Sequence, residues 1–238
     1  MSGHSKWATT KRQKAVVDAK KGAIFTKLAK IIAVAARQGG DPANNFSLRI
    51  AADKARSFNM PKENIERAIK RGTGELAGAQ IEELTYEGLG PAKSQFIVKT
   101  LTDNKNRTAA EIRHLFNEAG GSLGAVMWNF ELKGIIRISN NQFPITNKED
   151  FELELIDQGA QDILTEEEGV TVYAKPEDLQ KIKQFLESKN IKIESAEIKY
   201  VAKEHTELSD EDKAKAQKFI DQLEDNEDVS DYYTNADI

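Results

Sequence analysis

The residues best equipped for chemistry are cations in two clusters. Lys6, Lys11, Arg12, Lys14, Lys20 and Lys21, followed by Lys27, form the first; Arg67, Lys70 and Arg71 form the second. Ammonium and guanidinium groups neutralise phosphates and release condensed counterions, so a face built from them predicts salt-sensitive binding to nucleic acid. On a helix, Lys11, Lys14 and Lys21 fall near one face with Trp7. That indole serves either as a packing anchor or as a platform for an unpaired base. Lys105 and Arg107 supply a second candidate contact. They lie in the polar stretch Thr102–Thr108 ahead of a predicted helix, a location suited to anions.

The positive charge is segregated. Residues 1–74 carry 16 Lys+Arg against 5 Asp+Glu, whereas the remaining 164 carry 18 against 34. A chain with net charge −5 therefore joins a basic unit to an acidic one. Asp221, Glu224, Asp225, Glu227, Asp228 and Asp231 read as a solvated acidic surface near the C-terminus.

Other chemistries are poorly served. The chain has no cysteine, which excludes disulfides, thiolate metal sites and cysteine nucleophiles. His4, His114 and His205 are far apart, with no HExxH spacing, and no triad can be assembled around the scattered carboxylates. Gly88–Ser94 is glycine-rich but lacks P-loop spacing and reads as a tight turn. The expectation is a non-enzymatic protein with no metal, no cofactor and no small-molecule substrate. No apolar run reaches the length of a membrane span, and the polar, basic start lacks the apolar core of a secretory signal, so the expected location is the cytoplasm.

The elements that position these residues follow from periodicity. Ile24, Leu28, Ile31, Ile32 and Ala35 recur at helical spacing, and Gly39-Gly40-Asp41-Pro42 ends that helix with a left-handed glycine cap. Leu48, Ala51, Ala52 and Ala55 mark a second helix. Asn59-Met60-Pro61 opens a third that buries Ile65, Ala68 and Ile69 and stops at Gly72. Gly72-Thr73-Gly74 with Ala77-Gly78-Ala79 reads as a flexible joint. Beyond it, strands are expected at 81–88 and 94–102, a helix opened by the capping box Thr108-Ala-Ala-Glu111, and a strand at 126–132. From 135 to 201 the order becomes strand, helix, strand, strand, helix, strand, the ferredoxin-like pattern. A helix capped by Ser209 and a strand at 229–233 finish the chain. The predicted architecture is α+β and multidomain. It has a basic helical bundle (1–74), a middle α/β domain (79–133 and 205–238) and a ferredoxin-like α/β domain (134–204) inserted into it.

The motifs in the basic unit also resemble a known family. Gly3-His4-Ser5-Lys6-Trp7, Ala19-Lys20-Lys21-Gly22, Phe25-Thr26-Lys27-Leu28 and the run Asn59-Met60-Pro61-Lys62 through Gly72 are similar to the YebC/PmpR family. Tyr86-Glu87-Gly88, Thr102-Asp103-Asn104, Gly120-Gly121 and Asn235-Ala236-Asp237-Ile238 extend the likeness over essentially the whole chain. The resemblance implies a three-domain protein without an established catalytic residue. Members are usually named DNA-binding transcriptional regulators. The family is also linked to translation, through a mitochondrial translational activator of cytochrome oxidase and through relief of ribosomes stalled on proline-rich stretches. This chain departs at Ala92-Lys93, where relatives tend to have further glycine, and its turn after Gly124 is shorter. The expected partner is nucleic acid, either DNA or ribosomal RNA within the ribosome. On physical grounds RNA is slightly favoured, because an acidic remainder suits a ribonucleoprotein that presents basic proteins as well.

Overall fold

A computed structural model describes residues 22–77, 80–139, 148–166 and 169–238. The chain divides into two compact units. One runs to Asn129 and resumes over Lys203–Ile238; the other is Phe130–Ala202.

The first unit contains two apolar cores. In the first, α1 (22–35, prolonged by a 3-10 turn Ala36–Gln38), α2 (Phe46–Ser57) and α3 (Lys62–Gly72) enclose Leu28, Ile32, Leu48, Ala52, Ala55 and Ile65. These are the periodic positions of the sequence, and Asn45 caps α2 by accepting a bond from the Leu48 amide. Two expectations at the ends change. Gly39 sits at φ 138°, outside the left-handed cap region, because the 3-10 turn has already closed the helix through its own amide bond to Ala36. Gly72 is not part of a joint: a Cβ there would lie 2.2 Å from the Ala33 carbonyl oxygen and 2.7 Å from the Ala36 Cβ. The residue is glycine because α1 and α3 cross there at close range.

The second core belongs to a four-stranded sheet of order β3-β1-β2-β9 with α4 and α7 packed against it. Its strands are β1 (Glu82–Leu89), β2 (Gln95–Thr102), β3 (Ser122–Leu123) and β9 (Val229–Thr234); the helices are α4 (Lys105–Glu118) and α7 (Asp210–Asp225). Phe219 from α7 meets Phe96 and Phe116 edge-on, with centroids 4.9 and 5.0 Å away. Short strands β8 (Thr206–Glu207) and β10 (Ala236–Asp237) pair in parallel. Asn129 and Asn235 tie the strand ends together. Asn129 bonds Gln95 and both backbone groups of Glu204, and Asn235 accepts from the Gln95 amide.

Two local expectations are corrected here. The helix α4 starts at Lys105, capped by Asn104, whose side chain accepts from the Arg107 amide; Thr108 is a buried interior residue rather than a cap. Residues 127–129 form a 3-10 turn rather than a strand, held by the Glu87 carboxylate on the amides of Val126 and Met127. The turn between β1 and β2 runs through Ala92 and Lys93, both left-handed at φ 52° and 63°. A side chain there costs about 1–2 kcal/mol per residue.

In the second unit, β4 (Phe130–Ser139), α5 (Lys148–Asp157), β5 (Ala160–Thr165), β6 (Gly169–Ala174), α6 (Leu179–Ser188) and β7 (Ile193–Ala202) follow one another in that order. The sheet order β5-β6-β4-β7, antiparallel throughout, is that of a ferredoxin-like fold. The two strands expected either side of 133 are one continuous β4, since Gly134 sits within the ladder where the backbone approaches Leu179.

Candidate nucleic-acid interface

The described part of the basic unit begins on α1. Leu28 and Ile32 bury one face of that helix and leave Lys27 and Lys30 half-buried. Both reach the C-terminal end of α7. Lys27 Nζ donates to the Glu224 carbonyl, and Lys30 Nζ to the Glu227 carbonyl at 3.1 Å. Unpaired carbonyls and the negative pole of the helix dipole make that end a natural partner for ammonium groups.

Lys30 also meets Asp228, the centre of a cluster of long-range contacts. One carboxylate oxygen accepts from Lys30 at 2.7 Å; the other accepts from Arg107 at 2.8 Å and from the Thr108 hydroxyl at 2.7 Å. Asp228 is 4 % exposed, so it is no part of a solvated acidic surface. Burial pushes its carboxyl up, but the bonds from Lys30, Arg107 and Thr108 together outweigh that and hold it at about 2. Arg107 lies 3.2 Å from Asp103 as well, and Lys105 lies 2.6 Å from Glu82. The two residues expected to form a second anion contact thus have intramolecular carboxylate partners.

The second cation cluster lies on α3. Arg67, Lys70 and Arg71 are exposed and make no ion pair with any described residue. Arg67 and Arg71 line a groove of about 900 Å³ between α1, α3 and the segment that leads to β1. Lys30 and Arg37 line it from the α1 side, Phe25 and Met60 give it an apolar wall, and Asp103 is its one carboxylate among the described residues. Arg37 donates to the Ile81 carbonyl. Lys70 is not among the lining residues. Lys6, Trp7, Lys11, Arg12, Lys14, Lys20 and Lys21 lie outside the described residues.

The sequence pattern does not single out Lys30 or Arg37, and it places Asp228 on a solvated surface. The available signal was Lys30 itself, one turn from Lys27 beside the apolar stripe; its carboxylate partner lies 198 positions away, beyond the reach of local pattern. Among the described residues there is no cluster of three or more His, Cys, Asp or Glu arranged to hold a metal, and no helix long and apolar enough to cross a membrane.

Comparison with known proteins gives matches along the whole chain. The model of the TACO1/YebC protein N-terminal domain matches residues 5–75, and that of the TACO1/YebC second and third domain matches residues 81–236. A relative from Caldanaerobacter subterraneus subsp. tengcongensis, named a probable transcriptional regulatory protein, is 48% identical over 100% of this chain and 99% of its own. One of the same name from Chlorobaculum tepidum is 47% identical over 100% and 96%. The crystal structure of a conserved hypothetical protein from Aquifex aeolicus, 40% identical, superposes with a TM-score of 0.80 over 93% of this chain and 92% of that one.

Proposed function

The chain belongs to the TACO1/YebC family, and from that premise we propose that it is a non-enzymatic regulator of gene expression that acts by binding nucleic acid. The observation that carries this reading is the segregation of charge, 16 cations against 5 carboxylates in the first 74 residues of an otherwise acidic chain. Arg67, Lys70 and Arg71, exposed and without described ion-pair partners, are the part of that charge still available to phosphates. The names of the relatives point to transcription and hence to DNA.

A feature of α3 favours the second reading, a translation factor on ribosomal RNA. Helices α2 and α3 are joined by the short turn Phe58–Pro61, which invites comparison with a helix-turn-helix. A recognition helix, however, reads bases from its N-terminal turns, and there α3 exposes Glu63 and Glu66. Carboxylates at that position oppose entry into a phosphate-walled groove.

The test is ribosome sedimentation beside a DNA shift assay, between about 50 and 200 mM salt. The wild type is compared with a triple variant, Lys11→Glu, Lys14→Glu and Lys21→Glu. Association that weakens with salt and is lost in the variant supports the reading, and the assay that responds identifies the target. Reversal that leaves both associations unchanged would refute it.

A further inference from the structure

The groove beside α3 has a lining suited to one kind of polyanion, an inference that rests on the nucleic-acid reading above. Asn64, Arg67, Ala68, Arg71 and Gly72 recur at three- and four-residue spacing and share the face of α3 turned to the groove. Lys62, Glu63, Glu66 and Lys70 do not line it. Those four are balanced, two cations against two carboxylates, with Lys62 Nζ 3.6 Å from Glu66. The α3 residues that do line the groove include Arg67 and Arg71 and no acid. Arg67 and Arg71 sit one turn apart, a backbone rise of about 6 Å along the axis, on the scale of consecutive phosphates along one strand.

The rest of the lining agrees in sign and chemistry. Arg37 adds a cationic group from the α1 side, where the charge of Lys30 is already taken up by Asp228, and the charge of Asp103 is offset by Arg107 at 3.2 Å. Phe25, half-buried, and the exposed Leu76 provide an apolar surface beside these cations. A volume of about 900 Å³ is that of a pocket for a few linked nucleotides. A duplex, whose pairing holds two backbones apart and its bases inside, does not fit such a space. Cations that track one backbone, set next to apolar surface for base faces, are the means by which proteins hold single strands.

We propose that this groove binds an unpaired nucleic-acid strand, with Arg67 and Arg71 on consecutive phosphates and Phe25 and Leu76 against the bases.

The experiment uses the full chain and fluorescence anisotropy at about 100 mM salt. The probes are a labelled oligouridylate of about ten nucleotides and a labelled DNA duplex of similar length. Wild type is compared with R67Q/R71Q and with R56Q/K62Q, which removes the same charge from exposed positions of the helical bundle that do not line the groove. Gln matches Arg and Lys in helix propensity, and circular dichroism melts verify that both variants fold. R67Q/R71Q is expected to weaken single-strand binding at least about tenfold, and R56Q/K62Q no more than about threefold; the duplex responds equally and weakly to both. Equal losses from the two variants, or a duplex loss as large as the single-strand loss, overturn the proposal while leaving nucleic-acid binding intact. A wild type that binds neither probe overturns both.

Discussion

Asp228 joins parts of the sequence that nothing local relates: Lys30 of α1, Arg107 and Thr108 of α4, and its own place ahead of β9. A carboxylate this buried is tolerated only because each oxygen is satisfied by a cation or a hydroxyl. Its contribution follows pH in a defined direction. The folded carboxyl titrates at about 2, below the ordinary value of 3.8, so the stabilisation is complete above about pH 4 and is lost as pH falls through 2. Asp228→Asn should lower unfolding stability by about 2 kcal/mol at neutral pH, with the gap to wild type closing between about pH 4 and pH 2. Urea unfolding across that range measures it, and a constant gap would show that the charge of Asp228 is not what matters. The same residue marks a limit of sequence reading. Among Asp221, Glu224, Asp225 and Glu227 it has the look of surface charge, and only contacts closed over long separations, 198 residues to Lys30 and 121 to Arg107, show otherwise.

At the scale of elements, the helices of the basic unit were legible because their signals are local. The apolar spacing of α1 and α2, and the Asn59-Met60-Pro61 entry to α3, sit within a few residues of what they specify. The start of α4 was misplaced for the opposite reason. Thr108 and Glu111 imitate a capping box, while Asn104 does the capping and Thr108 is drawn inward to Asp228. In the sequence Gly72 looks like the start of a joint, since a glycine after a helix is ordinarily its stop. The structure assigns it to the crossing of α1 and α3, with consequences opposite to helix propensity. Propensity alone would make Gly72→Ala stabilising by about 1 kcal/mol. The contact with the Ala33 carbonyl makes it destabilising, by about 1–3 kcal/mol. A thermal melt of the variant decides between the two signs. The candidate site was legible only as residue types. That Arg67 and Arg71 face a groove while Lys70 faces away depends on which side of α3 packs on α1, and packing is not written in a run of charges.

For the whole molecule, the governing fact is that the chain keeps its two signs of charge apart in sequence and lets them meet at chosen contacts. Lys27, Lys30, Lys105 and Arg107 are committed to acceptors within the protein, whereas Arg67 and Arg71 are not. The protein is therefore expected to bind nucleic acid through phosphates, with these two arginines carrying a countable share of the binding. The most direct measurement is the affinity of the full chain for a single-stranded oligonucleotide, titrated from about 50 to 200 mM salt, for wild type and R67Q/R71Q. The logarithm of affinity should fall linearly with the logarithm of salt, and the variant's slope should be shallower by about 1.4, two phosphates at about 0.7 each. An affinity that does not change with salt, or a slope the variant leaves untouched, would contradict the account.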